Sequence, residues 1–487
     1  MQKILSRLAH FVKHASPWTL LLFISAHLLK IYVNHYPTIP TKSLLMEFLW
    51  IYAIGTGITI GSYIFFRNWS KSVAIALLFT LAEFYFSLLH AFIKSTFGAS
   101  FWTSYSFVLP VGMLTLSVCC WLVAKKPRKK LLALSNYYSI ALLSYAAISF
   151  LVNSIGQKEH RKATDFISMK RKPSIVLIVL DEYAGNSSLQ SHFNFDNSDF
   201  TLKMKTMQFQ EIEDPSSLYN STSFSMASFF SMEKLVLSSH KVSDVTNRKA
   251  AIQKINNNPF IDLLRSNGYT IHNHSIFPFN NQNPPGDFFK LHIVGEELLR
   301  HYNTSSTIYR DLAYHLYTHE IFGFNLTTLQ KKYAAGMNNL LEETATIVQS
   351  TPESGNFHYI HLIMPHAPFL YKSDGTMQSA DSLQDEKSES MYLEYLKYSN
   401  NRFIPWLSDV TQGKQETIFI VMSDHGWKSM PKPSPGKIEF NTILFVRGLK
   451  KEMPDSVMVP NILPLVLEEL CDTTFKKVTG FPIFLYD

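Results

Sequence analysis

The sequence predicts two kinds of fold in one chain: an α-helical transmembrane domain over residues 1–153, then an α/β domain with a mainly parallel central sheet over residues 173–487. Three observations carry this. Long apolar stretches crowd the first 153 residues, and the remainder reads as an ordinary globular sequence. That remainder alternates short β-branched runs with helix-patterned segments, the pattern of a parallel sheet. The first of them, Ser174–Leu180, is a continuous β-branched and leucine run, as expected of a strand covered on both faces. With 46% hydrophobic and only 17% charged residues among 487, the chain falls below the usual charge of about 25% and is far too apolar for intrinsic disorder.

Five stretches, 17–33, 44–66, 73–93, 105–124 and 131–152, are apolar enough for membrane spans, which need about 20 residues each. The first is the weakest, with His27 and Lys30 near its end. A cleaved signal peptide is the other reading there, but no small-residue cleavage site follows it. Basic residues alternate between the connections. Lys3, Arg7 and Lys13 precede the first span, Arg67 and Lys71 follow the second, and Lys125, Lys126, Arg128, Lys129 and Lys130 follow the fourth. The other two connections hold essentially Lys42 and Lys94 alone. This predicts a multi-pass protein of a bacterial-type cytoplasmic (inner) membrane, with a cytoplasmic N-terminus and an extracytoplasmic C-terminal region. Much of the net charge of +7 sits in these connections, so it orients the chain and gives no reason to expect a nucleic-acid partner. Glu83 falls inside the third span, where a carboxylate is costly unless it faces another helix. Residues 154–172 form a polar connector. Cys119 and Cys120 lie in an apolar segment, which leaves Cys471 alone in the polar region and excludes an internal disulfide or Cys-rich zinc site there.

Beyond the connector, Ser174–Leu180, Phe357–Ile363 and Thr417–Met422 read as buried strands, and 223–232, 326–349 and 386–408 as helices. Chemistry in such sheets gathers at the carboxyl ends of the strands. Three strand ends carry polar groups suited to a metal: Asp181-Glu182, Ser423-Asp424-His425-Gly426, and the segment holding His358, His361 and His366. Carboxylate with imidazole suits zinc or manganese, whereas magnesium and calcium prefer oxygen alone. Gly426 permits a sharp turn and a close approach by substrate. Singly, an Asp-Glu pair after a strand is most often a helix cap, and Asp-His-Gly is as often an ordinary turn. Their shared placement at strand ends is what makes them a candidate centre. Thr222 stands at or beside the N-cap of the 223–232 helix. It is either a capping threonine or a cation-bound hydroxyl able to attack phosphorus. In the second case the helix N-terminus offers N–H groups to phosphate oxygens. His272 and His274 alternate on a further strand, and Asn401 and Arg402 lie on a helix; structural and exposed roles fit these best.

On these residues the chain resembles the alkaline phosphatase superfamily, in its sulfatase-like membrane branch, which includes lipoteichoic acid synthases and lipid A phosphoethanolamine transferases. The landmarks are Ile175–Glu182, the Thr222 segment, Met364–Phe369 and Ser423–Gly426. The resemblance implies an α/β alkaline-phosphatase-like domain. It further implies a divalent metal, Zn or Mn, held by Asp181, Glu182, Thr222, Asp424 and His425, and a covalent phospho-threonine at Thr222. His361 and His366 would bind substrate oxygens or protonate the leaving group, His366 being the closer match. The Cys/Ser-x-Pro-x-Arg motif of true sulfatases is absent around Thr222, no second ligand set is recognisable, and there are no disulfides. One metal is therefore expected. The implied function is a phosphotransferase that takes a phosphoethanolamine- or phosphoglycerol-type substituent from a phospholipid donor to an envelope glycan or lipid acceptor. A sulfatase-like hydrolase of sulfate or phosphate esters, and a non-catalytic membrane sensor on the same scaffold, are the alternatives.

Overall fold

The computed structural model describes residues 18–35, 41–98, 100–125, 129–159, 167–242, 244–277, 279, 288–289, 326–379, 388–428, 433–434 and 436–486. These fall into two units, one holding the described residues 18–159 and the other those of 167–486. Of the expected connector, 154–172, residues 160–166 lie outside the described residues, and 154–159 end the helix Lys129–Glu159.

The first unit is built from helices Trp18–His35, Thr41–Phe66, Trp69–Phe97, Tyr105–Lys125 and Lys129–Glu159. Four contain a segment long and apolar enough to cross a membrane: Phe48–Phe66, Trp69–Phe86, Phe107–Lys125 and Lys130–Leu151. In the helix Trp18–His35 the apolar stretch is shorter, Trp18–Lys30. Side chains such as Phe65, Leu81, Leu114 and Leu134 are exposed along the four long segments, as expected of helices whose outer surface meets lipid. His27 is buried yet satisfied: Nδ1 donates to the Phe23 carbonyl at 2.9 Å, and Nε2 pairs with the Tyr85 hydroxyl at 2.8 Å. Glu83 is half-buried on the third helix.

The second unit is organised on a seven-stranded sheet. Its strands are β1 (Ile175–Leu180), β2 (Gln210–Glu211), β3 (Thr270–His274), β4 (Phe288–Phe289), β5 (Asn356–Leu362), β6 (Ile418–Ser423) and β7 (Leu444–Arg447), in the spatial order β2-β7-β6-β1-β5-β3-β4. From β6 through β4 all pairings are parallel, while β7 and β2 close one edge antiparallel. The three strands read from sequence are the central ones, each within a residue of its expected bounds. β1, β5 and β6 are buried at every position, which explains the nearly unbroken apolar runs of β1 and β6; β5 interrupts its run with His358 and His361. β7 escaped notice because four residues are too few to show a period.

Alternation splits each strand between two cores. Ile175, Leu177 and Val179 join Phe224, Met226 and Phe230 of the helix Thr222–Ser231 on one face. Val176, Ile178 and Leu180 join Leu340 and Leu341 of the helix Leu326–Ser350 and Tyr392, Tyr395 and Leu396 of the helix Glu389–Thr411 on the other. Each such side chain contributes about 1.5–3 kcal/mol, so the sheet is clamped from both sides and its carboxyl edge is a rigid platform.

Candidate metal centre

Strand register builds the centre. Leu180 at the end of β1 lies opposite Ser423 of β6, so the next residues, Asp181 and Asp424, leave the sheet side by side. Asp181, Asp424 and His425 are all buried, and one ligand atom from each lies within 4.8 Å of the others. The backbone holds them there. Asp181 N–H donates to the Leu362 carbonyl at 3.0 Å, Glu182 N–H to Asp424 Oδ1 at 3.0 Å, and Gly426 N–H to the Glu439 carbonyl at 3.0 Å.

Thr222 is the first residue of the helix Thr222–Ser231, with Ser221 at the N-cap. Its hydroxyl is not spent on capping. Oγ1 donates to Asp181 Oδ1 at 3.3 Å and lies 3.3 Å from His425 Nε2. One turn along, the Ser225 hydroxyl donates to the Asp424 carbonyl at 2.5 Å and ties the helix to the β6 end. Ser225 was not anticipated, although a serine three residues after Thr222 on a helix is the spacing that would reveal it.

The imidazoles divide by what their Nε2 atoms face. His425 Nδ1 donates to the Gly426 carbonyl at 2.7 Å, so in the neutral ring the Nε2 lone pair faces Thr222 and Asp424, as a metal ligand requires. His366 Nδ1 donates to the Ala367 carbonyl at 2.5 Å, and its Nε2 lies 3.6 Å from Glu182 Oε2, with about 32% of the side chain exposed. Burial disfavours charge on His366, but the Asp181 and Glu182 carboxylates outweigh it and raise its pKa to about 9. Burial would raise Asp181 too; there the His366, His361 and His425 rings prevail and hold the carboxyl below its usual range. Asp424 and Glu182 are pushed upward, chiefly by burial.

Four expectations change in detail. Glu182 stands apart from the three-residue group. Its backbone is left-handed (φ 59°), so its carboxylate turns to accept the Lys428 N–H at 2.7 Å and to face His366. That conformation costs about 1–2 kcal/mol in a non-glycine residue. It is braced by Tyr392, whose hydroxyl donates to the Glu182 carbonyl at 2.9 Å and accepts the Ala184 N–H at 3.0 Å. Tyr392, 210 residues away in sequence, offered no local signal. His361 is wholly buried behind Asp181, 3.5 Å from its Oδ2, so its side chain has no surface to offer substrate. His358 leaves the constellation altogether, because it lies three residues from His361 on β5 and an odd offset along a strand sends the two rings to opposite faces; it stacks on His272 at 4.4 Å. Gly426 serves the chain rather than a substrate: a Cβ there would collide with the carbonyls of Ile438 and Asn441. Asn401 and Arg402 are exposed, as expected.

The residues fit a divalent cation. Asp424 Oδ2 and His361 Nε2 are buried without hydrogen-bond partners, and buried carboxylates left in this state are costly. Two carboxylates, an imidazole lone pair and a hydroxyl converging on one point form the oxygen and nitrogen donor set of a zinc- or manganese-type site. The group of candidate ligands contains no cysteine, so sulfur has no part in it.

Among solved structures the chain is similar to the integral membrane lipooligosaccharide phosphoethanolamine transferase A of Neisseria meningitidis (12% identity, 94% of this chain and 96% of that one, TM-score 0.37). It is also similar to the C-terminal periplasmic domain of a phosphoethanolamine transferase of Campylobacter jejuni (14%, 65% and 100%, 0.37) and to a phosphonate monoester hydrolase of Agrobacterium radiobacter (11%, 61% and 74%, 0.38). No curated protein matches it. Residues 173–455 match the family described as Sulfatase; this stretch is more than half of the chain and contains every residue of the centre, so the protein belongs to the sulfatase family.

Proposed function

We propose that the protein is a membrane-anchored, metal-dependent phosphotransferase with Thr222 as nucleophile. It would move a phosphoethanolamine- or phosphoglycerol-type substituent from a phospholipid to an envelope glycan or lipid. The observation that supports this most is the position of the Thr222 hydroxyl, 3.3 Å from both Asp181 Oδ1 and His425 Nε2 instead of on its own helix backbone. Asp181, Asp424, His425 and Thr222 would hold one divalent ion, Zn or Mn, which when bound supplies Lewis acidity to the hydroxyl and to the phosphoryl oxygens. In the first half-reaction Thr222 Oγ1 loses its proton to solvent and bonds to phosphorus. The bond from phosphorus to the lipid's glycerol oxygen breaks, and His366 protonates that oxygen. In the second, an acceptor hydroxyl attacks phosphorus and returns a proton to His366, the Thr222–phosphorus bond breaks, and Thr222 recovers its proton. The first unit would keep the centre among lipid headgroups and raise the effective concentration of donor.

An extracytoplasmic centre with a cytoplasmic N-terminus requires an odd number of crossings. The helix Trp18–His35 would therefore be the fifth crossing, its 18 residues extending roughly 27 Å, close to the hydrocarbon thickness. Membership of the sulfatase family favours one competing reading, hydrolysis of the same ester by water.

The test is mass spectrometry of the purified full-length protein after incubation with phospholipid vesicles. A headgroup-phosphate adduct on Thr222, absent from Thr222→Ala, is expected. Steady release of headgroup phosphate to water with no transfer to any added glycan or lipid would replace transfer by hydrolysis. An adduct confined to another residue would remove Thr222 from the reaction.

A further inference from the structure

Behind the centre lies a buried pair that the proposed chemistry does not use. We propose that Tyr359 and His361 are positioning residues that hold Asp181 in its cation-binding orientation from inside the sheet. This rests on the reading that Asp181 holds a cation.

Tyr359 and His361 are two apart on β5 and so share a face. β5 runs beside β1 with His361 opposite Val179, which brings the ring level with the end of β1. The Tyr359 hydroxyl meets His361 Nδ1 at 2.7 Å, and His361 Nε2 points at Asp181 Oδ2 from 3.5 Å. Donation by the tyrosine to Nδ1 fixes the neutral tautomer whose proton is on Nε2, aimed at the carboxylate. Asp181 thus has its two oxygens divided: Oδ1 accepts from Thr222 and Oδ2 faces His361.

Three further observations exclude simpler roles. Tyr359 and His361 are both buried, so neither touches substrate. His361 lies outside the group formed by Asp181, Asp424 and His425, so it sits on Asp181 and not in the gap between the three. Its Nε2 has no other hydrogen-bond partner, so the N–H is left for the Asp181 carboxylate 3.5 Å away. The tyrosine is itself fixed, edge-on to Phe230 at 5.1 Å and stacked on Phe279 at 5.6 Å. Hydrogen bonds that orient a liganding carboxylate in this way govern affinity for the metal.

The experiment measures Zn²⁺ affinity of the full-length protein in detergent by competition with a chromophoric chelator, and thermal unfolding in excess EDTA. Tyr359→Phe and His361→Leu are expected to weaken Zn²⁺ about 10- to 100-fold while leaving the melting temperature in EDTA unchanged. His361→Gln, which keeps an N–H near the Nε2 position, is expected to return to within a few fold of wild type. A purely structural role would not produce that rescue at constant metal-free stability. Asp181→Asn is the reference. If it binds Zn²⁺ like wild type, the centre itself is misassigned. If Asp181→Asn weakens binding but Tyr359→Phe does not, or if His361→Gln is as weak as His361→Leu, the positioning role is overturned. Should His361→Leu fail to fold, Tyr359→Phe, which lacks a single oxygen, decides the matter against wild type.

Discussion

His358 and His361 lie three residues apart on β5, and both are buried, yet they serve opposite ends. The odd spacing sends them to opposite faces of the sheet. His361 faces Tyr359 and Asp181. His358 meets the Thr351 hydroxyl at 3.0 Å and stacks on His272 with the rings 10° from parallel. Burial first, then the neighbouring His272, His274 and Lys414, drive the pKa of His358 down to about 2, so it is neutral at any ordinary pH. The histidine count of a segment therefore says little about its chemistry. The face each ring occupies, and whether carboxylates or cations wait there, decides it.

The contrast is broken most severely at the carboxylates. Asp424→Asn removes the charge on the unpartnered Oδ2 that faces the centre. We expect turnover to fall by at least about 10³-fold and Zn²⁺ binding to fall with it, whereas His272→Phe, on the other face, stays within a few fold of wild type in both assays. Equal losses in the two variants would erase the distinction between a reactive and a structural cluster.

A smaller effect separates His366 from the metal ligands. His366→Gln removes the imidazole proposed as proton donor and should lower turnover by roughly 10²–10⁴-fold with Zn²⁺ affinity preserved. Chelator competition on this variant is the check, and a large loss of affinity would make His366 a ligand instead.

The smallest effect belongs to His358 and appears in stability. Its folded pKa of about 2 lies far below the unfolded value near 6.5, so below pH 6.5 the unfolded chain takes up a proton that the fold refuses. Its contribution is complete above pH 6.5 and is lost as the pH falls, by up to about 1.4 kcal/mol per pH unit. Denaturant titrations from pH 7 to 5 should show His358→Leu losing less stability over this range than wild type. Parallel curves would contradict a neutral buried ring.

Much of the fold was legible because it is written in short-range patterns. Apolar runs located β1 and β6, and what followed them located Asp181, Asp424 and His425; β5 was visible although histidines interrupt it. The Thr222 helix was visible in the same way, and its serine neighbour was within reach. Glu182 was not separable from Asp181, because only the left-handed backbone at 182 turns one carboxylate toward the centre and its neighbour away. Tyr392, which braces that turn, and Tyr359, which anchors His361, carry no mark in their own neighbourhoods.

The sequence by itself determined where the four long apolar helices and the three central strands run and which polar residues follow those strands, because hydrophobic patterning acts over a few residues. Which of those ends meet was decided only by the tertiary structure. Thr222 finds partners 41 and 203 residues away, and Glu182 N–H binds an Asp424 oxygen 242 residues away. Such contacts follow from strand order and register, and these are fixed by packing two cores against one sheet rather than by any local stretch of chain.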